Sequence, residues 1–176
     1  IGPYLADRRH AAVALILAGP EDHLSLAMIH RAARTGDPWS GHVAFPGGRA
    51  EPEDGNPRRV AERETLEEIG LDLGGAEFLA PLSEENILHV VPPMVLSPFV
   101  YYWGAARPPF ALNDEVDEAF WMDLSQLTAP DSQTTHTLDW GGQTVTFPAI
   151  HCHGRILWGL SWRVWDDFLK QAQNLQ

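Results

Sequence analysis

The chain has 176 residues, of which 44% are hydrophobic, and it carries a formal net charge of −12. These values predict one folded domain, residues 1–176, and the acidic balance argues against a polymeric nucleic acid as partner, because phosphate contacts need Lys and Arg. No apolar run reaches the ~20 residues of a membrane helix, and the single cysteine, Cys152, leaves no internal disulfide, so we expect no membrane contact and a reducing, cytoplasmic compartment.

The N-terminal part of the chain predicts strands that lead towards a glycine-rich loop. Residues 11–17 form an apolar run and residues 24–31 partly alternate, which indicates a hairpin that turns at residues 21–22. Arg31 and Arg34 stand at the end of the second strand. They are either solvated surface arginines or groups that meet substrate phosphates, with Arg31 favoured.

The next segment contains a loop and a pair of glycines. Residues 35–42 read as a loop, in which Trp39 either stacks on a base or fills the core. Residues 42–45 read as a short strand that enters Gly47 and Gly48. Paired glycines allow a backbone to bend sharply or to approach a ligand closely.

The stretch after the glycines predicts a helix that carries clustered carboxylates. Asn56 is a good N-cap, Pro57 suits a first helical turn, and Gly70 suits a left-handed C-cap. Three glutamates at positions i, i+3 and i+4 share one face: Glu64, Glu67 and Glu68. Such a face is either a solvated acidic surface or a site for a hard cation such as Mg²⁺ or Mn²⁺.

The order of these residues resembles the Nudix box. The matching positions are Gly48, Glu51 and the run Arg63-Glu64-x-x-Glu67-Glu68-x-Gly70-Leu71. The match departs from the common pattern in three ways: fourteen residues separate Gly48 from Arg63 instead of thirteen, Gly55 stands where Glu is usual, and Thr65 replaces an apolar residue.

The resemblance implies a fold and a chemistry. It implies an α/β/α sandwich, with a mixed sheet between the box helix and a C-terminal helix, and hydrolysis of a diphosphate linked to a nucleoside. Divalent ions would be held by Glu64, Glu67 and Glu68, and the backbone of Gly47 and Gly48 would lie near phosphates or metals. Arg63 would orient a carboxylate by a bidentate pair.

Downstream of the helix, strands are predicted at residues 76–82, 93–103 and 116–122, the second with an edge or bulge at Pro98. The acidic segment before the third strand resembles the Nudix segment that supplies a general base or a further metal ligand. Glu115 is the best match and Glu118 the second. The alternative for both is a plain acidic turn.

The C-terminal part predicts a polar mobile loop at residues 128–137, a hairpin at 139–147 and a long helix at 155–173. Residues 151–153 read His-Cys-His, but this is not a zinc-finger spacing and no second ligand cluster partners it. No linker or internal repeat divides the chain.

Three features resemble the coenzyme A pyrophosphatase branch of the family. They are the longer box, the run from Gly41 to Gly48, and the element at residues 158–160. In that branch an Arg-Ser pair precedes the glycine run, whereas here Arg31 is followed by Ala32.

The substrate favoured by this resemblance is coenzyme A or an acyl derivative, cut to 3′,5′-ADP and a phosphopantetheine. The alternatives are another small diphosphate, such as ADP-ribose, a dinucleotide or a nucleoside triphosphate, and a non-catalytic module that binds a nucleotide or a partner protein. The family resemblance also makes a homodimer plausible.

Overall fold

The computed structural model describes residues 9–36 and 42–175, so the prediction for Trp39 lies outside the described residues. The elements are β1 Arg9–Ala18, β2 Ser25–Arg31, β3 Val43–Ala44, β4 Gly47–Arg49, α1 Pro57–Ile69, β5 Glu77–Pro81, β6 Glu85–Ile87, β7 Met94–Gly104, β8 Val116–Asp123, α2 Leu124–Thr128, β9 Gln133–Trp140, β10 Gln143–Cys152, β11 Arg155–Trp158 and α3 Gly159–Gln173. None of the helices in these ranges is both long and apolar enough to cross a bilayer.

A mixed sheet of eight strands is built around β1. β1 pairs in parallel with β7 over its whole length, and antiparallel with β4 at Ala11–Val13 and with β2 only at Leu17 and Ala18. β2 continues the sheet through β3 and β8. The predicted hairpin of the first two strands is therefore confirmed, but it is paired only next to its turn.

The two faces of β1 bury different helices, as the period-two alternation of a strand requires. Ala12, Ala14 and Ile16 pack in one cluster with residues of α1. Leu15 and Leu17 pack in a second cluster with Val164 and Trp165 of α3. The predicted α/β/α sandwich with a mixed sheet is confirmed.

Both predicted ends of the box helix are confirmed. The side chain of Asn56 accepts a hydrogen bond from the backbone N–H of Arg59 at 3.0 Å, and Pro57 is the first helical residue. Gly70 has a φ of 74° and donates its N–H to the carbonyl of Leu66. These caps fix where α1 begins and ends, and so fix which way its carboxylates point.

Two predictions for the C-terminal part were wrong. The segment predicted as a mobile loop contains the end of α2, a 3₁₀ turn at Pro130–Ser132 and the start of β9. The long helix begins at Gly159 and not at residue 155, because Arg155–Trp158 pairs with β10 as a strand. The hairpin turn at residues 141–142 is confirmed, and β9, β10 and β11 form a separate three-stranded sheet.

Pro98 does not lie in an edge strand, because β7 pairs with β1 on one side and with β5 and β6 on the other. It falls between the residues that pair with β6, Met94–Leu96, and those that pair with β5, Phe99–Tyr102. Its missing N–H therefore faces a break in the neighbouring strands, where no ladder bond is lost.

Candidate active site

Glu68 is the most deeply buried of the helix carboxylates. Its side chain has no exposed surface, and its Oε1 accepts the backbone N–H of Gly47 at 2.7 Å. Its Oε2 is buried without a hydrogen bond in the described part of the chain and lies 3.7 Å from Nη1 of Arg31. Burial raises the pKa of Glu68 to about 8, although the Gly47 N–H and Arg31 both favour the ionised form.

Gly47 can make this contact because it has no side chain. A Cβ at this position would lie 2.2 Å from the carbonyl oxygen of Ala12, since β4 runs directly beside β1. Its N–H donates to Glu68 and so anchors a carboxylate that the resemblance assigns to the metal. That the glycine backbone lies near phosphates or metals stays a prediction.

Arg63 ties the glycine strand to the box helix. Its Nε and Nη2 donate to the two carboxylate oxygens of Asp54 at 2.8 and 3.0 Å, and Nη2 also donates to the carbonyl of Arg49 at 3.0 Å. Nη1 donates to Glu64 at 3.0 Å and to Glu67 at 3.3 Å. This is the bidentate carboxylate pair expected of Arg63.

Asp54 is a site residue that the motif alone did not identify. Its carboxylate is only 4% exposed. Burial opposes its ionisation, but the hydrogen bond from Arg63, the backbone N–H of Glu51 and the charge of Arg63 together outweigh this, and the pKa of Asp54 lies below its ordinary value. The sequence feature that could have identified Asp54 is its position directly before Gly55, where the family pattern usually has Glu.

Glu64 faces Gly48 closely. A Cβ on Gly48 would lie 2.5 Å from the Glu64 carboxylate, so a larger residue there would displace that carboxylate. Burial raises the pKa of Glu64 above its ordinary value, against the lowering effect of Arg63. Glu67, on the same face, is half exposed.

Glu115 stands across from the helix, on the segment that enters β8. Arg34 lies 3.7 Å from its carboxylate and 3.4 Å from that of Asp114. The segment is fixed to the helix because the backbone N–H of Asn113 donates to the carbonyl of Glu68 at 3.2 Å. Both predicted arginines thus lie next to predicted carboxylates.

Glu118, the second candidate for the general base or further metal ligand, forms ion pairs with other residues. It pairs with Arg155 at 2.6 Å and with His153 at 2.8 Å, and the hydrogen bond from Arg155 lowers its pKa. Cys152, next to His153, is fully buried.

Several of these groups line one cleft of about 1010 Å³. Gly47, Gly48, Glu64 and Glu115 line one part of it, together with Arg31 and Arg34, which carry the positive charge there. The other part is lined by β9, β10 and the start of α3. The volume suits a small-molecule ligand.

The donor groups suit a hard divalent cation in chemistry, but they do not converge in this structure. No group of three or more His, Cys, Asp or Glu side chains within residues 9–36 and 42–175 is arranged to hold a metal. The Oε2 of Glu68 is nevertheless a buried carboxylate oxygen that accepts no hydrogen bond from those residues. Carboxylate oxygens of this kind are what Mg²⁺ and Mn²⁺ prefer, so Glu64, Glu67 and Glu68 fit such an ion.

Fold and site together define an α/β protein with a carboxylate-bearing helix beside a ligand-sized cleft. Residues 8–140 match the NUDIX domain family, and the chain belongs to that family. Among curated relatives, the mitochondrial coenzyme A diphosphatase NUDT8 of Mus musculus is 32% identical over 74% of this chain and 62% of its own length. The human protein of the same name is 31% identical over 86% and 64%.

An uncharacterised protein of Schizosaccharomyces pombe is 38% identical over 64% of this chain and 36% of its own length. The chain therefore spans between about one third and two thirds of these relatives. Among solved structures, a MutT/nudix family protein from Enterococcus faecalis has a TM-score of 0.60 at 18% identity, covering 95% of this chain and 63% of that one. A C. elegans Ap4A hydrolase has a TM-score of 0.55 at 16% identity, covering 66% and 80%. These likenesses show the fold.

Proposed function

We propose that this chain hydrolyses the diphosphate of a small nucleoside-linked molecule with the help of Mg²⁺ or Mn²⁺. The observation that carries the proposal is the buried Glu68 carboxylate, held by Gly47 and facing Arg31 at the cleft. A fully buried carboxylate costs stability unless it is compensated, so its presence at this position indicates a functional use.

The chemistry follows from the charges around the cleft. Water attacks one phosphorus atom of the diphosphate, a new P–O bond forms, and the bridging P–O bond breaks. A divalent ion, when bound, neutralises the phosphates and makes its water more acidic. Glu64, Glu67 and Glu68 would hold it.

The remaining groups bind, position and transfer protons. Arg31 and Arg34 bind phosphate oxygens, since both line the cleft. Glu115 accepts the proton of the attacking water, because it lies across the cleft from Glu64. Arg63 touches no substrate and keeps Glu64 and Glu67 in position.

Coenzyme A or an acyl derivative is the proposed substrate, giving 3′,5′-ADP and a phosphopantetheine. The two NUDT8 relatives support this substrate. Three features of the sequence also support it: the longer box, the run from Gly41 to Gly48, and the element at residues 158–160. One feature of the sequence differs from the coenzyme A branch: Arg31 is followed by Ala32, where that branch has Ser. A homodimer and a cytoplasmic location are parts of the proposal that rest on the sequence alone.

The test is a panel of diphosphates incubated with Mg²⁺ or Mn²⁺, with products identified by mass. The panel contains coenzyme A, acetyl-coenzyme A, ADP-ribose, NADH, a diadenosine polyphosphate and a nucleoside triphosphate. We expect 3′,5′-ADP from the first two, and its loss in Glu68→Gln and in Glu64→Gln. Glu62→Gln is the matched control, because Glu62 lies on the same helix but contacts Arg58 and Tyr101.

The outcomes separate the parts of the proposal. Faster cleavage of another diphosphate keeps the hydrolase and rejects coenzyme A. Activity within about tenfold of wild type in both carboxamide variants rejects the metal-binding role, since such groups commonly contribute several kcal/mol. Absence of metal-dependent hydrolysis across the panel favours a nucleotide-binding module without catalysis.

A further inference from the structure

The half of the three-stranded sheet next to the β9–β10 turn presents one largely apolar face and one threonine-rich face. His136 lies opposite Phe147, Leu138 opposite Val145, and Ala149 opposite Trp158. Paired residues and their i+2 neighbours share a face in an antiparallel sheet. We call one set of these residues the hairpin wall: Leu138, Trp140, Val145, Phe147 and Trp158.

Next to the hairpin turn, the opposite face is polar. It carries Thr135, Thr137 and Asp139 on β9 and Thr144 and Thr146 on β10, as the register requires. The hydroxyls of Thr137 and Thr146 lie 3.3 Å apart. Further from the turn the same face carries Ile150, Cys152 and Leu157, which pack in the hydrophobic core. The two faces therefore differ in chemistry in the half of the sheet next to the turn.

The hairpin wall is covered by other side chains only in the half near Trp158. Trp158 contacts the rings of His42, His136 and Phe147, with centroids 4.4 to 5.7 Å apart. Towards the turn, Val145 is 36% exposed and Trp140 is 60% exposed. An antiparallel sheet normally covers its apolar face, and a contiguous exposed apolar patch usually marks a binding site.

The hairpin wall belongs to the same cleft as the carboxylates. Four of its residues line the cleft that Gly48 and Glu64 also line: Leu138, Trp140, Phe147 and Trp158. From the Trp158 pair to the Trp140 pair the wall runs six residues along β10, roughly 20 Å at the rise of a strand. A molecule whose diphosphate sits at Glu64 can therefore extend along the wall.

The side chains of the wall indicate which part of such a molecule would contact it. None of its five side chains is charged, and their only hydrogen-bonding groups are two indole N–H groups. The polar residues on the same face include His136, whose ring contacts Trp158, and Gln143, next to the turn. A nucleobase needs polar partners for its edges, whereas an alkyl chain needs only apolar surface. The nearest carboxylate on β9, Asp139, lies on the opposite face.

We propose that the hairpin wall is the subsite for the acyl chain of an acylated substrate. This inference rests on the proposed function, because the chain must be attached to the diphosphate that the carboxylate end binds. The subsite makes longer acyl derivatives better substrates than the free thiol. Each methylene buried on the wall raises kcat/KM by up to about fourfold.

The experiment compares coenzyme A with its acetyl, butanoyl and octanoyl thioesters. The proteins are wild type, Trp140→Ser and Val145→Thr, with Thr144→Val on the opposite face as the matched control. The apparent Kd is measured alongside kcat/KM in the Glu68→Gln background, by tryptophan fluorescence, so that binding is read without turnover. Light scattering gives the mass of each protein.

We expect kcat/KM to rise at least tenfold from acetyl to octanoyl in wild type and in Thr144→Val, and less than threefold in Trp140→Ser. Cleavage of coenzyme A with no dependence on chain length overturns the subsite and leaves the proposed function standing. If neither coenzyme A nor its octanoyl thioester is bound or cut, both assignments fail.

Two other occupants of the wall give distinct results. If Trp140→Ser weakens the binding of ADP-ribose as much as that of octanoyl-coenzyme A, the wall stacks a base and the acyl assignment is overturned. If wild type is a dimer and Trp140→Ser a monomer, while the chain-length dependence is unchanged, a second copy covers the wall and the assignment is equally overturned.

Discussion

Replacing Glu68 by Gln should stabilise the metal-free protein at alkaline pH while abolishing turnover. The carboxylate has no exposed surface, and one of its oxygens accepts no hydrogen bond from the described residues. Gln has nearly the same shape and can still accept the Gly47 N–H, but it carries no charge to bury. The site thus holds a group whose ionised form opposes folding until a cation binds.

The size and sign of the effect follow from the pKa of Glu68. Burial raises it from the ordinary 4.5 to about 8, so the folded state holds the proton more tightly than the unfolded state. The stabilising contribution is fully present below about pH 4.5 and is lost as pH rises through about 8. The corresponding loss in the free energy of unfolding is on the order of 3–5 kcal/mol.

Urea unfolding of wild type and Glu68→Gln in a chelator measures this effect. The two proteins should differ little at about pH 5, and the variant should be more stable by several kcal/mol at about pH 9. Millimolar Mg²⁺ should then stabilise wild type more than the variant, because only binding to the folded state shifts unfolding. Glu67→Gln is the control for the pH effect only, since that carboxylate is half exposed.

A stability difference between Glu68→Gln and wild type that does not change with pH would refute this reasoning. It would mean that the Glu68 charge is already compensated without metal, for example by Arg31 at 3.7 Å. Equal stabilisation of both proteins by Mg²⁺ would refute the assignment of the ion to this carboxylate.

Three further predictions concern residues with other roles. Arg63→Lys should lower kcat by more than about tenfold and the free energy of unfolding by about 2–4 kcal/mol, measured by steady-state kinetics and urea unfolding, because Asp54 loses its bidentate partner. Gly47→Ala should abolish activity and lower the melting temperature, since its Cβ would lie 2.2 Å from a β1 carbonyl oxygen, whereas Gly75→Ala, with open space around it, should change neither. Cys152 should react with a thiol reagent only after unfolding, because burial raises its pKa to about 12; rapid reaction of the native protein would contradict this.

The box helix could be predicted to the residue because its ends are local. Asn56, Pro57 and Gly70 act on backbone groups within one turn of themselves, so their effect is readable without knowing the fold. The face shared by the three glutamates follows from helical periodicity in the same way. What the sequence could not show is how differently they are buried, from 0% exposed at Glu68 to 53% at Glu67.

Elements decided by pairing with a neighbouring strand were the ones predicted wrongly. β9 contains three Thr and one Gln, a polar composition that suited a loop, but it is a strand because residues 133–140 pair with β10. Residues 155–158 fit the periodicity of α3, but they close a strand pair with β10 before the helix begins. In each case, tertiary pairing overrides a local preference that a short segment expresses only weakly.

The extra residue in the box shows why a spacing motif and a site are different constraints. Counted along the chain, the usual carboxylate is missing, because Gly55 occupies its place. What Arg63 requires is two acceptor oxygens at hydrogen-bond distance, and Asp54 provides them at 2.8 and 3.0 Å. Gly55 has a φ of 74°, a turn conformation that glycine adopts easily, and it stands between Asp54 and the helix cap. The longer loop can thus place a different carboxylate at hydrogen-bond distance from the same guanidinium. The site requires acceptor oxygens at Arg63 and does not require a fixed spacing along the chain.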